Sequence, residues 1–215
     1  MNKFAQPILC LVTDRGLCRD RPLEQVVEQA LAGGATMIQL REKHAPLELF
    51  LQLARTLLPL VHRHGAPLII NDRVDVALMA GADGVHLGQR DMPCIAARRM
   101  LGPEKIIGLS VENVEQAVEA ESFDVDYIGI SPVFATATKT DTAPALGLEG
   151  VAAIRRLSRH PLVAIGGLHE GNVASVMKAG AHGVAVVSAI CAADDPKHAA
   201  RSIRERIDGV SEGAT

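Results

Sequence analysis

The chain has 215 residues, 48% of them hydrophobic and 22% charged, a composition that fits a globular protein and excludes a disordered or fibrous one. Its 22 Lys+Arg against 25 Asp+Glu leave a net charge of −3 with no block of like charge, and four Phe, one Tyr and no Trp are too few rings for a nucleic-acid stacking platform. The expected partners are therefore neither nucleic acid nor membrane, since no apolar run approaches twenty residues.

A chain this long buries enough surface to fold without disulfide or metal staples, and a single domain over residues 1–215 is the expectation. Cys10, Cys18, Cys94 and Cys191 form no C-x-x-C pair and read as reduced thiols. The apolar run from Pro7 to Val12 is cut off by Thr13, Asp14 and Arg15, too short for a secretory segment, so the expected location is cytoplasmic. Homo-oligomerisation is left open.

In chain order, the first predicted strand is Ile8 to Thr13. Leu23, Val26, Val27, Ala30 and Leu31 follow helical spacing, with Pro22 placed for a first helical position. GGATMIQL at Gly33 to Leu40 is a helix exit running into a second strand, and the phrase returns as AGADGVHL at Ala80 to Leu87 and AGAHGVAV at Ala179 to Val186, with FDVDYIGI at Phe123 to Ile130 a looser relative. A second helix carries Phe50, Leu53, Ala54, Leu57, Leu58 and Val61, which Pro59 is expected to kink or split. Further apolar runs at Pro67 to Asn71, Ile106 to Ser110 and Pro161 to Ile165 bring the strand count to eight. Strands without polar alternation, each followed by an amphipathic helix, predict a parallel sheet closed as a (β/α)₈ TIM barrel. An open doubly wound sheet is disfavoured, because no glycine-rich fingerprint follows the first strand.

In such a barrel the carboxyl ends of the strands converge on one mouth, so the polar residues there are the candidates for chemistry. Gln39, Arg41 and Lys43 stand on alternate positions at the end of strand two and face the same way, and the two cations read either as surface charges or as ligands of a polyphosphate. Asp72 and Asp91 each read either as a helix N-cap or as half of a hard-oxygen pair suited to Mg²⁺. Zinc is disfavoured, with no cysteine near and His86 within a strand rather than at its end. Ser110 could cap the fifth helix, but Asn113 with Gln116 already supplies a capping box. Ser131 to Gly147 exceeds an ordinary loop, and its opening SPVFATATK suits an anion clamp or an exposed polar loop. Gly166-Gly167 and Val187-Ser188, after strands seven and eight, match the usual monophosphate site of these barrels. The histidines at 62, 64, 160 and 198 read as solvated.

The phrases LVTDR, QLREK, INDRVDVALMAGADGVHLGQRDMP, IGLSVEN, SPVFATATKTDTAPALGLEG, VAIGG and GVAVVSAI resemble the thiamine phosphate synthase family, in order and across nearly the whole chain. The resemblance implies a transferase that joins 4-amino-2-methyl-5-(diphosphomethyl)pyrimidine to 4-methyl-5-(2-phosphoethyl)thiazole and releases pyrophosphate, with Mg²⁺ as cofactor. It implies Gln39, Leu40, Arg41, Glu42, Lys43, Asn71, Ser110 and Lys139 around the pyrimidine diphosphate, with Arg41, Lys43, Ser110 and Lys139 as the catalytic members. Asp72 and Asp91 become the metal ligands, and Thr136, Ala137, Thr138, Gly167, Val187 and Ser188 the thiazole phosphate site. The family ionises the pyrimidine CH₂–O bond first, and the thiazole nitrogen then captures the cation. Glu112 and Ser131 depart from the pattern, standing where histidine and glycine are common in relatives. The alternatives are a thiazole tautomerase-like relative, a non-catalytic barrel that binds a phosphorylated ligand, and a Schiff-base lyase using Lys43 or Lys139.

Overall fold

The computed structural model describes Phe4 and residues 6–136 and 144–212. Eight strands, β1 (Ile8–Val12), β2 (Met37–Leu40), β3 (Leu68–Asn71), β4 (Gly84–Leu87), β5 (Ile106–Val111), β6 (Tyr127–Ile130), β7 (Leu162–Ile165) and β8 (Gly183–Val186), alternate with helices. These are α1 (Leu23–Ala32), α2 (Leu47–Arg63), α3 (Val74–Ala80), α4 (Cys94–Leu101), α5 (Val114–Ala120), α6 (Gly147–Leu157) and α7 (Glu170–Lys178), then a single turn α8 (Ser188–Cys191) and α9 (Pro196–Glu212). The strands close in sequence order into a parallel barrel, with β1 paired to β8 through Ile8 opposite Gly183. This is the TIM barrel that the strand and helix pattern predicts.

Both faces of each strand are buried, which is why the sequence shows no polar alternation. Ile8, Cys10, Val12, Met37, Ile69, Tyr127 and Val163 point inward and fill the barrel. Their neighbours, such as Leu9, Leu11, Ile38, Leu40, Leu68 and Ile70, point outward into the layer shared with the helices. Each such side chain contributes roughly 1.5–3 kcal/mol on burial.

The recurring sequence phrase has a structural meaning at the lower rim. Just before β2, β4, β6 and β8 stand Thr36, Asp83, Asp126 and His182. Their side chains accept from the backbone N–H of Leu9, Leu68, Ile107 and Leu162, at 3.0, 2.8, 2.8 and 3.2 Å. Each of the four donates its own N–H to the carbonyl of the same partner, at 2.9, 3.0, 2.7 and 2.8 Å. The repeat therefore ties each even strand to the odd strand before it, at the end of the barrel opposite the mouth.

The prolines differ from expectation. Pro22 is the N-cap residue of α1 rather than its first helical residue, and Pro46 and Pro93 hold the same place before α2 and α4. Pro59 does not split α2, which runs unbroken from Leu47 to Arg63. The buried face of Phe50, Leu51, Ala54, Leu57, Leu60 and Val61 holds it together across the missing N–H, and the residue four before the proline, Arg55, is exposed to solvent. His160 is buried rather than solvated, with its Nε2 3.2 Å from the Ala120 carbonyl. All four cysteines are free and buried. Among the described residues no helix is long and apolar enough to cross a membrane.

Candidate active site

The mouth opens onto a cavity of about 1220 Å³. Gln39, Arg41 and Lys43 line it, because a strand and its extension send alternate side chains the same way. The buried Thr13 fixes this exit by accepting from the Arg41 N–H at 3.0 Å. Leu40 and Glu42 face elsewhere. Leu40 is fully buried in the outer core layer, and Glu42 is gripped by Arg15 through two bonds of 2.7 and 2.8 Å. Neither residue lines the cavity.

At the end of β3, the Arg73 N–H donates to the Asn71 carbonyl at 2.8 Å across Asp72, whose φ is +64°. This is a γ-turn of the strained, positive-φ kind, which an aspartate adopts more readily than most residues do. Strain of this sort is characteristic of functional sites. It is kept in place by the Asp72 N–H, which donates 2.8 Å to the His86 carbonyl on β4. Asp72 is thus no N-cap; that position before α3 belongs to Arg73 and has no side-chain cap.

After β4 the chain turns tightly, and Asp91 Oδ2 accepts from the Gly88 N–H at 2.6 Å. Asp91 does not cap α4 either, since Pro93 occupies that place. The turn brings the Asp91 carboxylate into hydrogen-bonding reach of Asp72. Partial burial, then the facing Asp91, push the Asp72 carboxyl up to about 6, against the opposing pull of Arg41 and Lys43. Two carboxylates distant in sequence and sharing space beside two cations are the oxygen pair a hard divalent ion takes, completed by water and phosphate oxygens. Among the described residues no group of three or more His, Cys, Asp or Glu gathers as a metal cluster.

Ser110 lines the cavity at the end of β5 and is not spent on capping α5. The Asn113 side chain accepts from the Gln116 N–H at 2.8 Å, and Gln116 Oε1 reaches back to the Glu112 N–H at 2.7 Å rather than to that of Asn113. The expected box is therefore displaced by one residue. Asn71, Thr136, Gly167, Val187 and Ser188 also line the cavity. The segment after β6 runs beside the exit of β7, with Val133 donating to Ile165 at 2.9 Å and Phe134 to Gly166 at 3.1 Å. Gly167 has φ +65°, and a Cβ there would stand 2.6 Å from the Ala135 carbonyl, so this crossing requires glycine. Ala137, Thr138 and Lys139 lie outside the described residues.

The sequence reading weighed His86 only as a zinc ligand and Glu112 only as a departure from the family pattern, and it missed Tyr127; all three line the cavity. His86 Nδ1 is 2.9 Å from the Tyr127 hydroxyl and Nε2 is 2.8 Å from Ser110 Oγ. The available signal was the inward alternation of β4, which points His86 into the barrel below the mouth.

The thiamine monophosphate synthase family model matches residues 9–190. The chain is 54% identical over 202 residues to the thiamine-phosphate synthase of Albidiferax ferrireducens, covering 94% of this chain and 92% of that one. It is 50% identical over 206 residues to the thiamine-phosphate synthase of Chloroflexus aurantiacus, covering 96% and 95%. The solved structure of a thiamine phosphate pyrophosphorylase from Pyrococcus furiosus superposes with a TM-score of 0.87 at 41% identity, over 95% of this chain and 96% of that one. With its fold and nearly its whole length shared with these proteins, the chain belongs to the thiamine monophosphate synthase family and is a transferase of thiamine-phosphate synthesis.

Proposed function

We propose that the cavity binds a pyrimidine diphosphate and a thiazole phosphate together and joins them with release of pyrophosphate. The observation that carries this reading is the facing of Asp72 and Asp91 beside Arg41 and Lys43, in the same cavity as Gly167 and Ser188. The first group suits a diphosphate with its Mg²⁺, held by the two aspartates. The ion would supply charge neutralisation of the leaving group. Gly167, with the N–H groups at the start of α8, suits a single phosphate across the mouth.

Arg41 and Lys43 stabilise charge that builds on the departing diphosphate as the CH₂–O bond breaks. A cation 4 Å from an anionic oxygen is worth about 4 kcal/mol at an effective dielectric of about 20, so two or three such groups remove a large part of an ionisation barrier. Holding the thiazole nitrogen against the electron-poor carbon makes its capture a local event. A reaction of this kind needs no protein nucleophile, in keeping with four buried cysteines. Lys139, assigned to the diphosphate by family resemblance, would add a further cation. A relative that only isomerises a thiazole phosphate has no use for the paired aspartates.

The test is to supply the purified chain with both substrates and Mg²⁺. Pyrophosphate and thiamine phosphate should appear in equal amounts. Thiamine phosphate without pyrophosphate, or neither product, would refute the reading.

A further inference from the structure

Below the mouth, β2, β4, β5 and β6 contribute a row of side chains linked by hydrogen bonds. The Gln39 side chain approaches the Tyr127 phenol, the phenol meets His86 Nδ1 at 2.9 Å, and His86 Nε2 meets Ser110 Oγ at 2.8 Å. The strands make room for it. A Cβ on Gly108 would lie 2.1 Å from Tyr127 Cζ, and one on Gly129 would lie 2.8 Å from His86 Cε1. Two inward strand positions are thus left bare so that a phenol and an imidazole can meet inside a packed barrel.

A neutral imidazole flanked by two oxygens has a single N–H, and the nitrogen that carries it sets the direction of every bond in the row. Burial pushes the Tyr127 hydroxyl well above its ordinary value, so it remains a donor. At 2.9 Å, His86 Nδ1 is the acceptor within reach of the Tyr127 O–H. The other direction would turn the serine's only hydrogen back toward His86 and present bare lone pairs to an anionic ligand.

We infer that Gln39, Tyr127 and His86 are a positioning row that aims the Ser110 hydroxyl. Tyr127 O–H donates to His86 Nδ1, His86 Nε2–H donates to Ser110 Oγ, and the serine O–H points into the cavity toward an anionic diphosphate oxygen. The inference rests on the proposed function and on the contact between Ser110 and the pyrimidine diphosphate that family resemblance implies. His86 and Tyr127 act through the serine.

The tautomer is read directly by long-range ¹H–¹⁵N correlation on the full chain labelled in histidine nitrogen, with the His86 signals assigned by their loss in His86→Gln. The expected result is a neutral ring protonated at Nε2. A ring protonated at Nδ1 reverses each bond and overturns the proposal. Kinetics with both substrates supply a readout that a structural role would not move. Tyr127→Phe keeps the ring and should lower kcat about three- to tenfold, with KM for the thiazole phosphate unchanged. In a Ser110→Ala background the same change should have no further effect, whereas equal losses in both backgrounds overturn the coupling. If Ser110→Ala leaves both kcat and KM as in the wild type, the serine is not a substrate contact and the proposal fails at that end, even with the tautomer as expected.

Discussion

Asp72 sits at the crossing of three constraints: a positive φ, a facing carboxylate and two nearby cations. Its carboxyl is lifted from 3.8 to about 6 in the folded chain, so between those values the folded protein holds more proton than the unfolded one. The resulting stability is fully present below about 4 and is lost as pH rises through about 6, wherever no cation replaces the proton. Asp72→Asn should therefore raise the melting temperature of metal-free protein at about pH 7.5 and leave it little changed near pH 4. Melting curves in chelator at the two pH values check this, and an equal shift at both would contradict it. Protons and Mg²⁺ compete for the same oxygens, so apparent Mg²⁺ affinity should weaken as pH falls through about 6.

Among the elements, the lower-rim ties and the upper-rim loops do separate work. Asp126 serves the lower rim, accepting from Ile107 N–H at 2.8 Å and from Arg98 at 2.8 Å, with both side chains largely buried. Asp126→Ala leaves a buried N–H unpaired and should cost about 2 kcal/mol, or about 6 °C in Tm, with KM for both substrates unchanged. A KM change without loss of Tm would move Asp126 into the functional machinery. At the upper rim, Arg15 neutralises Glu42 and steadies the strand that presents Arg41 and Lys43. Arg15→Met should raise KM for the pyrimidine diphosphate about two- to fivefold, and adding Glu42→Gln should recover most of that loss; no recovery would mean that Glu42 charge is not the cause. The eight strands were legible because parallel strands buried on both faces leave continuous apolar runs. The role of the repeat was not legible, since which N–H Thr36 or His182 accepts from depends on the register in which the preceding strand is paired.

For the molecule as a whole, the mouth was largely legible because closing the barrel gathers every strand end in one place. Asn71, Asp72, Asp91, Ser110, Gly167 and Ser188 all meet there. What escaped was the interior beneath it. His86 reads in sequence as one residue of an apolar strand, and only closure sets it against Tyr127 and Ser110. Leu40 and Glu42, which family resemblance placed at the ligand, turn their side chains away because the strand alternates. The central claim is that two carboxylates from neighbouring strand ends grip one divalent ion for a diphosphate. Its most direct measurement is Mn²⁺ binding in the presence of pyrophosphate, followed by electron paramagnetic resonance in the wild type and in Asp91→Ala. The expected result is one ion per wild-type chain and at least about tenfold weaker binding in the variant. Undiminished stoichiometric binding after loss of Asp91 would contradict it.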